Sequence, residues 1–207
     1  MQQLRFIRYL SLPILYIVVL ILVAQFFLSK TIHYTFNSTA SEEPGYYLLY
    51  PAAVKAGNIY QICLNNTKQE YINIMIKIGL HPSGNCKNGN MALLKTVVAG
   101  PGDLVQITAS GVLVNHKLLP DSKGIDIYKN IKLKPLPIGL SRTLKNDEYW
   151  LYGHGRTSYD SRYFGIVNSN EIPQKAVLIK SFSSWGTTTV SSSRLVQMSK
   201  VANSESK

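Results

Sequence analysis

Three short stretches hold the residue types that nucleophilic chemistry needs. The first, Asn37-Ser38-Thr39-Ala40-Ser41-Glu42-Glu43-Pro44-Gly45-Tyr46-Tyr47, gathers hydroxyls ahead of a Pro-Gly turn. By composition alone it is a polar loop. The second, Ala92-Leu93-Leu94-Lys95-Thr96-Val97-Val98-Ala99, sets one lysine in an apolar run. Side chains alternate along a strand, so Lys95 shares its face with Leu93 and Val97. Desolvation disfavours the ammonium form and lowers a lysine pKa, by up to about 3–5 units when burial is complete. A neutral amine can then take the proton of a serine hydroxyl, as Ser–Lys hydrolases do without histidine. The plainer reading is an edge-strand lysine whose head reaches water and discourages sheet pairing. The third stretch is Ser158-Tyr159-Asp160-Ser161-Arg162-Tyr163-Phe164-Gly165. Asp160 and Arg162 share a strand face or oppose across a tight turn, which allows an ion pair, and Ser158 can bond to a buried lysine. Its plain reading is a polar loop between strands. The histidines, His33, His81, His116 and His154, are scattered with no paired spacing and no Cys or acidic cluster beside them. No metal and no cofactor is expected. His154 lies near the third stretch, so a histidine-based site is an alternative there.

These stretches need a scaffold, and the sequence reads as mainly β. Residues 46–53 and 59–64 are short strand signals separated by a Lys55-Ala56-Gly57-Asn58 turn. Residues 68–80 place Tyr71, Ile72, Met75, Ile76 and Leu80 near helical spacing, which predicts one short helix. A Pro-, Gly- and Asn-rich loop (81–90) leads to the strand of residues 91–99, and Gly100-Pro101-Gly102-Asp103 is a turn signal. Residues 104–108 and 112–115 form a hairpin pattern, 116–147 are looser, and 148–152 and 176–182 are further strands. Residues 31–45 read as a polar lead into the body, and 191–207 as a flexible, unpatterned tail.

At 207 residues the chain has room for one modest domain. Its formal net charge of +11 suits anionic lipid headgroups or nucleic acid. With no dense Lys/Arg run and no recognition motif, nucleic acid is not an expected partner. Residues 10–28 are 19 positions without a charge, enough to cross a hydrocarbon core of about 30 Å as a helix. Arg5 and Arg8 precede this run, so the positive-inside bias keeps the N-terminus cytoplasmic and exports the body. A cleaved signal is the rival reading, but Gln25-Phe26-Phe27-Leu28-Ser29-Lys30 lacks a small-x-small cleavage site. The expected organisation is a cytoplasmic N-terminus (1–8), a transmembrane anchor (9–29), an extracytoplasmic domain (30–190) and a tail (191–207). In an oxidising compartment Cys63 and Cys86 are candidates for a disulfide; two buried free thiols are the alternative.

Taken in order after an N-terminal anchor, the three stretches resemble the boxes of the type I signal peptidase superfamily. Ser41-Glu42-Glu43-Pro44 resembles its Ser-x-x-Pro nucleophile box. Leu94 to Asp103 resembles its lysine box with the Pro-Gly-Asp turn, and Ser158 to Gly165 its Ser-x-Asp-Ser-Arg-aromatic-aromatic-Gly box. Asn37-x-Thr39-x-Ser41 followed by Gly45 and Tyr47, with Cys86 just upstream of the lysine box, is similar to the TraF-type conjugative-transfer peptidases.

The resemblance implies a coiled antiparallel β-sheet body whose apolar face rests on the inner membrane, with the catalytic domain periplasmic. It makes Ser41 the nucleophile and Lys95 its general base. The oxyanion hole is the Ser41 backbone N–H and the Thr39 hydroxyl; Ser158 orients the amine, and Asp160 with Arg162 braces the site. The implied substrate is an exported precursor with small residues before the cleaved bond, a conjugative pilin subunit of a type IV secretion system, whose trimmed ends some relatives join into a ring. Partners are then the lipid bilayer, the membrane-bound precursor and other conjugation components. The alternatives are a general signal peptidase and a non-catalytic component of a secretion complex. Three features depart from the pattern. Glu42 and Glu43 follow the nucleophile where many relatives carry an apolar residue, Asn115-His116 replaces an Asn-Gly turn, and Gly153-His154-Gly155-Arg156 stands in place of Gly-Asp-x-Arg.

Overall fold

The structure, a computed structural model, describes residues 13–23, 33–79, 84 and 86–182. Residues 13–23 form a helix, α1, with every residue exposed. The expected anchor is thus described only in part; the cytoplasmic N-terminus and the tail lie outside the described residues. Among those residues no helix is long and apolar enough to cross a membrane.

The described residues of the body form twelve strands: β1 (His33–Asn37), β2 (Gly45–Tyr50), β3 (Ile59–Ile62), β4 (Leu93–Ala99), β5 (Leu104–Thr108), β6 (Gly111–Val114), β7 (Lys117–Leu118), β8 (Ile127–Tyr128), β9 (Ile131–Lys132), β10 (Ser141–Thr143), β11 (Trp150–Tyr152) and β12 (Gln174–Ser181). Six of them make one sheet in the order β1-β2-β12-β3-β4-β11, four make a second in the order β10-β5-β6-β7, and β8 and β9 pair as a ribbon. Every one of these pairings is antiparallel. The mainly β expectation is met.

The single predicted helix is α2 (Gln69–Lys77), which buries Ile72 and Met75. Ile76, counted on the apolar face from its spacing, is 40% exposed. The polar lead is corrected: residues 33–37 are a strand, because β2 offers a free edge that pairs with it from His33↔Leu49 to Asn37↔Gly45. The third stretch is also not wholly a loop. Ser161–Phe164 form a short helix, α3, because the Asp160 carboxylate accepts from the Arg162 N–H and caps its start.

One core cluster, including Tyr60, Ile62, Leu93, Val97, Leu151 and Phe164, lies between the large sheet, α2 and α3. A second, around Val105, Val112, Leu144 and Trp150, joins the two sheets. The turn after β4 is held by Asp103, whose carboxylate accepts from Gly100 N–H at 2.8 Å and from Asn115 Nδ2 at 2.7 Å. Asn115 and His116 both take positive φ, 47° and 65°, and turn β6 into β7 without the usual glycine. The β1–β2–β12 side of the sheet exposes Tyr34, Phe36, Tyr46 and Ile179, and the rings of Phe36, Tyr46 and Phe182 pack on one another.

Cys63 and Cys86 form a disulfide, which ties the end of β3 to the loop that runs into β4. On the chain-entropy estimate, closing a loop of this length contributes about 3 kcal/mol.

Candidate active site

Ser41 sits in the turn between β1 and β2, and one side chain holds that turn. Asn37, 6% exposed at the end of β1, donates through Nδ2 to the carbonyls of Thr39 and Glu42 at 3.0 Å and of Glu43 at 3.3 Å. Its Oδ1 accepts from the Thr39 N–H at 3.1 Å and from Thr39 Oγ1 at 2.8 Å. An amide can do this because it carries both donors and acceptors in one plane. Tyr47 closes the turn from β2, its hydroxyl donating to the Glu43 carbonyl at 2.6 Å. Gly45 permits the close approach of β12: a Cβ there would fall 2.2 Å from the Lys180 carbonyl oxygen. On the far side the His154 N–H donates to the Ser41 carbonyl at 2.7 Å.

Lys95 lies on β4 opposite Tyr60 of β3. Its face neighbours Leu93 and Val97 are buried, and Lys95 itself is only 4% exposed, so the edge-strand reading fails. β11 reaches only as far as Tyr152, opposite Thr96. Beyond it, Gly153 leaves room for the lysine head: a Cβ there would lie 2.0 Å from Ser158 Oγ and 2.8 Å from Lys95 Nζ. The amine donates to Ser158 Oγ at 3.0 Å. Burial lowers the Lys95 pKa; the negative charges of Asp160 and Glu42 oppose that shift and Arg162 adds to it.

Asp160 and Arg162 are 0% and 1% exposed and form an ion pair through two bonds, Nε to Oδ1 at 2.8 Å and Nη2 to Oδ2 at 2.7 Å. Asp160 also accepts from the Gly153 N–H at 2.8 Å. The guanidinium donates to the carbonyls of Asp121, Gly153, Gly155 and Ser158 and lies 5.3 Å from the Tyr152 ring centre. A buried charge pair is tolerated where its remaining donors are satisfied in this way. The pair holds the segment 153–160 around the lysine head.

The two glutamates after Ser41 part company. Glu43 is exposed and accepts from the Ser181 hydroxyl. Glu42 is 2% exposed; its Oε1 accepts from Thr96 Oγ1 at 2.9 Å, and its Oε2 lies 3.8 Å from His154 Nε2. Burial pushes the Glu42 carboxyl up to about 8, against the pull of Lys95 and Thr96. His154 is lowered, first by burial and then by Lys95.

Ser41, Thr39, Lys95, Ser158 and His154 all border one cavity of about 720 Å³, together with Asn37 and Leu93. The predicted site residues are therefore brought together, with Asp160 and Arg162 directly behind them. The structure shows hydroxyls in this cavity bonded in two separate pairs, Lys95 with Ser158 and Ser41 Oγ with Thr39 Oγ1 at 3.0 Å. Because the Thr39 hydroxyl donates to Asn37, Ser41 is the donor of the second pair. No hydrogen bond joins Ser41 to Lys95 among the described residues, so for Lys95 to take the Ser41 proton the two side chains must first be brought together; for Thr39 to donate to an oxyanion, its O–H must leave Asn37. Catalytic hydrogen bonds commonly tighten only once substrate is bound. The sequence assigns no role to Asn37 or Gly153, and to His154 only that of an alternative histidine-based site. The signal for Asn37 was present, an Asn two residues before a hydroxyl-rich turn, which is the position that bonds to its own backbone two residues on. Among the described residues no cluster suited to a metal ion is found.

The sequence model of a family described as signal peptidase, peptidase S26, matches residues 6–180. Two proteins of Escherichia coli named plasmid transfer protein TraF are each 32% identical over 143 residues, covering 66% of this chain and 76% of the relative. A crystal structure of a signal peptidase I from Enterococcus faecalis V583 covers 59% of this chain and 95% of its own length at 16% identity, with a TM-score of 0.32, too slight a likeness to bear on the fold.

Proposed function

The chain belongs to the signal peptidase family, peptidase S26, and from that membership we propose that it is a membrane-anchored serine endopeptidase working through Ser41 and Lys95. The observation that carries this reading is the lysine: an amine 4% exposed, in the same cavity as Ser41, with its pKa lowered by burial. Ser41 Oγ attacks the scissile carbonyl as its proton passes to Lys95 Nζ. The oxyanion is met by the Ser41 N–H and the Thr39 hydroxyl. Lys95 then returns the proton to the leaving amine, and water, or another amine where ends are joined, attacks the acyl-enzyme. Ser158 keeps the amine oriented; Asp160 and Arg162 fix the segment that carries Ser158.

The proposed substrate is an exported precursor in conjugation, a pilin subunit of a type IV secretion system. The printed name of the relatives, plasmid transfer protein, supports that choice. The uncharged run of residues 10–28 supports an anchor in the bacterial inner membrane with the body periplasmic, and the exposed Tyr34, Phe36 and Tyr46 are suited to rest on lipid. Co-expression with the precursor tests the reading. The unsubstituted chain should give the trimmed product, and Ser41→Ala should leave the precursor at full length. A second reading, a non-catalytic member of a secretion complex, is favoured by the carboxyl of Glu42 buried beside the lysine; trimming that survives Ser41→Ala would support it.

A further inference from the structure

We propose that Lys129, at the tip of the β8–β9 ribbon, is a specificity-determining residue that selects precursors carrying a carboxylate within the segment the cavity holds. This selection rests on the peptidase reading above and deepens it, by naming a group the substrate must offer away from the cleaved bond.

The ribbon brings the lysine to the site and fixes it there. Two residues, Lys129 and Asn130, join β8 to β9. Both take positive φ, 46° and 63°, the tight turn that suits a twisted pair of strands. Tyr128 and Ile131 pack against the core that also holds Leu93, and just ahead of the ribbon the Ile125 N–H donates to the Tyr163 hydroxyl at 3.2 Å. Tyr128 and Lys129 border the same cavity as Ser41 and Lys95. The Lys129 ammonium lies 5.4 Å from the centre of the Tyr128 ring, a contact that steadies a cation and leaves its N–H donors unused. Left-handed backbone suits Asn or Gly and disfavours lysine, so Asn130 serves the turn and Lys129 does not. What the lysine contributes is its charge.

Charge around the cavity is one-sided. Among the described residues that border it there is no aspartate or glutamate, and the basic ones are Lys95, His154 and Lys129. Lys95 donates to Ser158 and is the proposed base; His154 has Glu42 at 3.8 Å. No ion pair engages Lys129 among the described residues. Asp126, at the base of the ribbon, is exposed and does not border the cavity. A second group on the wall also lacks a partner. Gln61 of β3 is 6% exposed and borders the cavity, yet its side-chain amide makes no hydrogen bond among the described residues. An enclosed amide calls for a polar partner, which the backbone of an extended peptide supplies. An unmodified polypeptide carries negative charge only on Asp or Glu side chains or at its C-terminal carboxylate. A cation without a counter-ion, on a wall without carboxylates, attracts such a group and repels a lysine or arginine in its place.

The test is competitive cleavage of synthetic peptides by the full chain in detergent, read by mass spectrometry. Each peptide holds an Ala-Ala-Ala stretch with a single Glu walked outward on either side, and the same peptide with Gln competes in the mixture. A Glu-free set with a free or an amidated C-terminus separates a chain end from a side chain. One or two positions, or the free end, should be favoured by about threefold to fivefold in kcat/KM, the upper end of what a partly exposed ion pair gives. The preference should shrink as salt is raised. Lys129→Glu should invert it at those positions. Lys129→Asn, which suits the turn, should abolish it without lowering the melting temperature. Equal rates for paired peptides throughout, or a preference that survives both substitutions, would overturn the proposal. Acylation of Ser41 by a penem β-lactam, followed by mass spectrometry, tests the peptidase reading by itself. A chain that is acylated but shows no such preference keeps that reading; one that is neither acylated nor cleaves any peptide loses both.

Discussion

Lys95→Met is expected to slow acylation at Ser41 by about 10³-fold at neutral pH, the middle of the range a positioned general base supplies. The side chain keeps its length and apolar character and loses only the amine. Nothing in the fold asks for that charge: Leu93 and Val97 flank it in the core, and its hydrogen bond goes to a serine hydroxyl. Replacing a buried ionisable group by a hydrophobe of similar volume is often neutral or stabilising. The expectation is thus a pair of results, a near-complete loss of acylation in the kinetic assay and a melting temperature equal to or above that of the unsubstituted chain. A loss of both together would mean that the lysine is structural.

The second large effect runs the other way. Asp160→Asn is expected to cost about 3–5 kcal/mol of stability, the usual result of removing one partner of a buried ion pair. Asn has one carbonyl oxygen where Asp160 uses two, and its amide would face guanidinium donors at Nη2 or Nε. The Gly153 N–H or the Arg162 N–H would also lose its acceptor, unpinning both the room for the lysine head and the start of α3. Chemical denaturation of the two proteins measures the cost. A difference below about 1 kcal/mol, the scale of an exposed pair, would contradict the burial described here.

Some of this site was legible from residue order and some was not, for a physical reason in each case. Strand alternation made the burial of Lys95 one of two open readings, because Leu93 and Val97 report the environment of the face they share with it; that β4 is flanked by strands on both sides, which decides between them, is not visible in the pattern. Asp160 and Arg162 were close in sequence, so their pairing could be expected while its frame could not. A strand or a turn would serve as well, and capping chose a helix. Glu42 and Glu43 are the clearest limit. They are identical and adjacent, and a turn has no period to say which one points inward; the answer depends on Thr96, more than fifty positions away. The same holds for β10, a short segment whose partner β5 is distant in the chain; β1 and β7 to β9 pair with neighbouring strands, but are short and mostly exposed, so their own pattern does not announce them. The resemblance named the family whose model matches the chain, and Ser41, Lys95 and Ser158 from its three boxes border one cavity; of the departures it flagged, Glu42 is buried and accepts from Thr96, and the His154 N–H donates to the Ser41 carbonyl.

The central claim is that the attacking oxygen belongs to Ser41, although the nearest hydroxyl to the lysine amine in this structure is that of Ser158. Peptide mapping of the penem-acylated chain separates the two directly. The adduct mass on the peptide that contains Ser41, with none on the peptide that contains Ser158, is the predicted result. The adduct on Ser158 would contradict it, since the turn built by Asn37 would then hold a serine that takes no part in the reaction.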